Sequence, residues 1–185
     1  TDGTNAPFMP QKIRTWVQYS LAGQPIEKQL EMEYYILTEV LKRLPKHKVT
    51  TAEIHQQVIN VCIDKEEVEY SRVAAKLEVA TIHKKQAQFL NIFKPDAANF
   101  TDFVQALELE GLYDGDWLNG INKTTEQTVN DWFIELESEE LEYWTVKQWA
   151  DKYSKKIKGY AVETPALGAL ANAIGYHGVT ELAFE

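Results

Sequence analysis

Thr51 and His55 are four residues apart, a spacing that puts a hydroxyl and an imidazole on one face of a helix, one turn from each other. They stand at the start of that helix, because Thr50 and Glu53 have the spacing of a capping box. A helix N-terminus offers unpaired backbone N–H groups and the positive end of the helix dipole, which suits an anion. Lys12 lies in the first turn of an earlier helix, and Lys84 lies seven residues beyond Leu77 on the stripe of a later one. If these helix ends meet, two ammonium groups, a hydroxyl and an imidazole converge, which is an inventory for a nucleoside triphosphate. The competing reading leaves Lys12 and Lys84 facing solvent and Thr51 as a spare cap. On spacing alone that second reading is the more economical.

Other chemistry is sparse. No two of the four histidines, His47, His55, His83 and His177, stand three or four residues apart, so no metal site is expected. The pairs Asp2-Gly3 and Gly115-Asp116 read as turns, and there is no glycine-rich phosphate loop. The run Glu135-Leu136-Glu137-Ser138-Glu139-Glu140 reads as a solvated acidic face. Cys62 is the only cysteine, which excludes a disulfide framework, a four-thiolate metal site and any dithiol redox cycle within the chain. Its place on an apolar helix face predicts a buried structural thiol.

The elements that must position these groups are helices. Pro10 opens the first, with Ile13, Trp16, Val17 and Leu21 on one face, and Gly23-Gln24-Pro25 breaks it. The second runs from about Glu27 to Leu44 on the stripe Leu30, Tyr34, Leu37, Leu41, Leu44, and Pro45 ends it. The third starts at Thr50-Thr51 and buries Ile54, Val58 and Val61, with Ile59 and Cys62 widening the face. The fourth spans about Val68–Ala87, with Tyr70, Val73, Leu77 and Ala80 inward. These four could pack as antiparallel neighbours. Beyond Phe93-Lys94-Pro95-Asp96, read as a linker with a boundary near Asn91, four more helices follow. Their starts are expected at Asn99 (capped with Asp102), Thr124-x-x-Gln127, Thr145-x-x-Gln148 and Thr164-Pro165. Only Tyr160-Ala161-Val162 and a few residues before Pro10 look strand-like. The expected class is mostly α.

The 185 residues are 44% hydrophobic, enough for one large or two small cores. The net charge of −9 and the lack of a basic stripe (Lys84-Lys85 and Lys155-Lys156 are only pairs) argue against a nucleic-acid polymer as partner. No apolar run is long enough to span a bilayer. A cytoplasmic location is the expectation.

Several segments in register resemble one family. Thr50-Thr51-Ala52-Glu53-Ile54-His55, then Glu69-Tyr70-Ser71-Arg72-Val73-Ala74-Ala75-Lys76-Leu77 and His83-Lys84-Lys85, resemble the large (alpha) subunit of ribonucleotide reductase. Leu109-Glu110-Gly111-Leu112-Tyr113-Asp114, the helix Leu141–Tyr153 and Glu163-Thr164-Pro165 continue the similarity in order. The resemblance implies an ATP-cone over residues 1–90, a helical bundle with a short N-terminal β-hairpin that binds ATP or dATP, with Mg possible alongside. It implies a second helical domain over 91–185 that precedes a catalytic barrel. By position it makes Lys12, Thr51, His55 and Lys84 the effector-nucleotide contacts. Ala6 and Met9 stand where the family has Glu and Asn, and no basic residue precedes Asp2-Gly3. The family's radical and redox-pair cysteines are in the barrel, so this part is not catalytic alone. The implied partners are the barrel portion of the alpha subunit, in a split enzyme or a longer chain, and a radical generator, which is either a diiron beta subunit or adenosylcobalamin. Docking is expected through Trp132, Trp144, Trp149 and the small-residue run Ala166–Ala173. The alternative is a non-enzymatic helical protein-interaction module with a degenerate nucleotide site.

Overall fold

The computed structural model describes residues 9–45, 48–92, 94–95, 98–114 and 123–182, with the side chains of all of these except 123–124 and 176–182. The expected N-terminal hairpin, Asp2-Gly3, Ala6, His47 and the Gly115-Asp116 turn lie outside these residues. The described part is mostly helical, as expected. Its helices are α1 (Pro10–Leu21), α2 (Ile26–Arg43), α3 (Thr51–Ile63), α4 (Val68–Phe89), α5 (Phe100–Leu109), α6 (Lys123–Ser138), α7 (Tyr143–Gln148) and α8 (Pro165–Leu182). A π-helical turn, Trp149–Tyr153, continues α7, and two short strands, β1 (Lys156–Ile157) and β2 (Tyr160–Ala161), pair antiparallel. Lys158 and Gly159, both at positive φ, make the turn between them. The chain divides into two compact units, residues 1–77 and 78–185, and α4 runs through the division.

In the first unit Ile13, Val17 and Leu21 of α1 are buried together with Val58, Ile59, Val61 and Cys62 of α3 and Tyr70, Val73 and Leu77 of α4. The helix α2 departs from the sequence reading. Its buried residues are Met32, Glu33, Ile36 and Val40, whereas Leu30, Tyr34 and Leu41 are 60%, 75% and 45% exposed. This helix carries two apolar stripes of helical period, turned from each other by about 120° at 3.6 residues per turn. Periodicity scores both alike. Glu33 lies between them, and Arg14 and Gln18 of α1 bind its carboxylate, the amide of Gln18 at 2.9 Å. That pair turns the Met32–Ile36–Val40 side to the core. At the other end of α2, Arg43 pairs with Asp64, just past α3. The carboxyl ends of α2 and α3 therefore lie together, where a simple antiparallel hairpin would put Arg43 beside the start of α3.

The second unit is built on Phe100, Phe103, Val104 and Leu107 of α5, Val129 and Phe133 of α6, and Leu167, Leu170, Ala171 and Ile174 of α8. Phe133 meets both Phe100 and Phe103 edge-on, at 5.9 and 5.7 Å between ring centres. Asn99 and Asp102 form the expected capping box, and Thr164 caps α8 by accepting from Leu167 N–H at 3.2 Å. Two expectations are corrected. The helix α7 starts at Tyr143, and its tyrosine is buried in the first turn, so Thr145 is the third helical residue and not a cap. The small-residue run is not an outer docking face, because Ala166, Gly168 and Ala171 are buried in the unit's own core. Small size serves an internal fit: a Cβ on Gly168 would stand 2.1 Å from the Trp149 ring.

Replacing Ile36 with Ala should cost about 2–5 kcal/mol, as for other filled core positions, and Leu30→Ala should stay within about 0.5 kcal/mol. Urea denaturation of the two variants checks which stripe of α2 faces the core; equal losses would contradict the assignment.

Candidate functional site

The start of α3 is locally determined. Glu53 N–H donates to Thr50 Oγ1 at 3.2 Å, and the Glu53 carboxylate accepts from Thr50 N–H at 2.7 Å and from Thr50 Oγ1 at 2.8 Å. Thr50 thus does the capping, and the Thr51 side chain, exposed in the first turn, is not needed for it. The Glu53 carboxylate is folded back onto Thr50 and away from the first-turn amides. His55, one turn on, is half-buried, and its ring meets the Trp16 ring edge-on at 5.9 Å. That contact joins α3 to α1. Lys12 lies one turn before Trp16 on α1 and is exposed, just as Thr51 lies one turn before His55. Three of the four candidate residues therefore belong to the first unit, on two helices that touch at Trp16–His55. Lys84 is exposed on the part of α4 that belongs to the second unit. Trp16 is the residue that sequence reasoning missed as part of the site, since its spacing identified it only as one member of the apolar face of α1.

The second unit holds a polar centre that spacing did not reveal. Glu163 is 3% exposed. Its carboxylate accepts from Tyr113 Oη and, at 2.7 Å, from Lys155 N–H. Its carbonyl accepts from Trp149 Nε1 and from Ser154 Oγ, each at 3.1 Å, and its own N–H donates to Ser154 Oγ. Burial, and then the Glu163 carboxylate, push the Tyr113 hydroxyl well above the usual phenol range, so it stays protonated and donates. Only the resemblance had picked out Tyr113 and Glu163; they are fifty residues apart, beyond the reach of any local pattern. Elsewhere in the unit, His83 Nε2 lies 3.7 Å from the Glu137 carboxylate, and Thr164 Oγ1 donates to the same residue. Burial raises the Glu78 carboxyl, while Lys147, 3.8 Å away, pulls it down.

Among the described residues no group of three or more His, Cys, Asp or Glu side chains is placed to hold a metal ion, and no helix is long and apolar enough to cross a membrane.

Residues 1–85 match the sequence family of the ATP cone domain. This ATP-cone stretch contains Lys12, Thr51, His55 and Lys84. The chain has no significant match among curated proteins.

Cys62 is buried, and desolvation pushes its thiol up to about 12. The thiolate is the reactive form, so alkylation by iodoacetamide at neutral pH should be suppressed about 1,000-fold relative to a free thiol. Complete labelling should appear only in denaturant, read by mass spectrometry. Rapid labelling of the native chain would show that the thiol is accessible.

Proposed function

We propose that residues 1–85 bind ATP and dATP as allosteric effectors, and that the chain is the N-terminal part of a ribonucleotide reductase alpha subunit. The observation that carries the first half is the ATP cone match, which spans the four residues chosen on helix geometry. The geometry of the first unit supports it. The first-turn amides of Thr51 and Ala52 and the Thr51 hydroxyl are donors suited to phosphate oxygens. Lys12 supplies charge, and the Trp16–His55 pair offers an aromatic edge for the base or ribose. Lys84, the fourth residue of the sequence reading, belongs to the other unit. The reductase half rests on the ordered resemblance that runs past the cone, through Tyr113, the α7 segment and Glu163-Thr164-Pro165. In that setting the chain does not reduce ribonucleotides itself. The radical and redox-pair cysteines are supplied by a barrel, on a partner chain or a further part of the protein, and the radical comes from a diiron beta subunit or from adenosylcobalamin.

A second reading, a protein-interaction module with a degenerate nucleotide site, is favoured by the exposed stripe Ile26, Leu30, Tyr34 and Leu41 on α2 and by Ala6 and Met9. One titration separates the two. With ATP or dATP at 100 times the dissociation constant, the effector reading expects about 2.7 kcal/mol of stabilisation, visible as a rise in melting temperature. Thr51→Ala and Lys12→Ala should each weaken binding by roughly tenfold, the loss of one charge-assisted hydrogen bond. No shift at saturating nucleotide, with the variants melting like the parent, would leave only the interaction module. The reductase half is tested separately, by mixing the chain with a cysteine-bearing barrel polypeptide; dATP should lower the rate of ribonucleotide reduction, and failure to form a complex would sink it.

A further inference from the structure

Beside Glu163 the second unit has a cleft of about 330 Å³ whose lining includes Tyr113, Trp149, Tyr153, Lys155, Glu163 and Asn172. We propose that this cleft is a binding site for a small zwitterion of the amino-acid type, with its ammonium group against Glu163 and its carboxylate against Lys155.

The floor supports the ammonium half. A carboxylate can accept about four hydrogen bonds. Glu163 takes one on each oxygen from the protein, from Tyr113 Oη and from Lys155 N–H. Each oxygen can accept one more, and the exposed carboxylate of Asp114 lines the same cleft, so an ammonium group there meets two acids. Tyr113 and Trp149 also line the cleft, and aromatic faces beside a carboxylate favour an organic cation. The rim supports the carboxylate half. Lys155 and Asn172 are both exposed and line the cleft, and both can donate to a carboxylate. The Lys155 ammonium stands 5.8 Å from the centre of the Tyr113 ring. The lining thus carries both signs of charge, and a molecule charged at both ends meets the carboxylates and Lys155 together.

The walls are fixed before any ligand arrives. Trp149 is held by its Nε1 bond to the Glu163 carbonyl and by the face it lays on Gly168. The π-helical turn carries Trp149 and Tyr153 to the same cleft, with their rings 5.9 Å apart. Turns of this kind recur at binding sites, and a preformed aromatic pocket with a few convergent polar groups is the usual form of a small-molecule site.

The test is calorimetry on the full 185-residue chain with glycine, L-glutamine, L-arginine and L-phenylalanine, followed by the N-acetyl and C-amide derivatives of whichever binds best. Binding is expected at about 1 mM or tighter, with N-acetylation abolishing it and amidation weakening it about tenfold. Lys155→Ala should reproduce the effect of amidation and add nothing to it. Glu163→Gln should abolish binding, but this residue also holds the fold together, so the rim variants Lys155→Ala and Asn172→Ala carry the test if that protein fails to fold. No binding by any of the four at about 10 mM, or equal binding of the N-acetyl form, overturns the proposal. So does displacement of the amino acid by ATP at this cleft. Thr51→Ala should leave amino-acid binding unchanged and Lys155→Ala should leave the ATP response unchanged, so this site and the effector site can fail independently.

Discussion

A carboxylate removed from water must be hydrogen-bonded at every turn or it costs several kcal/mol, and in the second unit that requirement organises four separate stretches of chain around Glu163. The side chain takes the Tyr113 hydroxyl from the loop after α5 and the Lys155 amide from the start of the hairpin. Its backbone takes Trp149 from the π-helical turn and Ser154 from the end of that turn. The next residue, Thr164, caps α8 and also donates to Glu137 of α6. Gln86 of α4 reaches the carbonyl of Val162 on the other side, at 3.1 Å. The π geometry follows from these demands. Trp149 has to reach the Glu163 carbonyl while lying on Gly168, and the Ser154 N–H closes the turn onto the Trp149 carbonyl at 2.9 Å.

The first unit solves a related problem with less burial. Glu33 is 7% exposed and is held by Arg14, whose side chain remains 45% exposed. The pair is therefore partly screened, and its main effect is one of orientation. It fixes the face of α2 that turns inward and leaves Ile26, Leu30, Tyr34 and Leu41 outside. The contact between His55 and Trp16 has the same character. It ties the start of α3 to α1, so the exposed Thr51 and Lys12 each stand one turn away from a shared joint.

Local rules account for most of what could be read from the amino acids. The Thr50–Glu53 and Asn99–Asp102 boxes and Thr164 mark helix starts because each satisfies backbone N–H groups within three residues, and Pro10 marks one because it has no N–H to satisfy. The buried faces of α1, α3 and α5 followed from a single apolar stripe. Where a helix offered two stripes, as α2 does, period alone could not choose, and the choice came from Arg14 and Gln18 on another helix. The start of α7 was misplaced because Thr145 imitates a cap, while burial of Tyr143 sets the first turn. The polar groups divide the same way. That Thr51 and His55 share the start of one helix was legible from their spacing, whereas the Glu163 centre depends on contacts from Tyr113 and Trp149 that only the folded chain creates.

The thiol chemistry of a reductase has no footing in this fold. Cys62 is enclosed by the apolar residues of α3 and α4 and holds its proton up to about 12, so it is neither a nucleophile nor half of a redox pair. In the effector reading the chain contributes to a reaction through binding free energy. An effector shifts an equilibrium by the difference between its affinities for two states and by no more. For the effector reading, the first turn of α3 and the Trp16–His55 joint must therefore differ between an active and an inhibited arrangement. About 1.4 kcal/mol of difference gives a tenfold change in population, which is the scale of one charge-assisted hydrogen bond at Thr51 or Lys12. Regulation by ATP against dATP, which differ by a single ribose hydroxyl, therefore needs no large rearrangement of the first unit, only one donor or acceptor whose partner is present in one state and absent in the other.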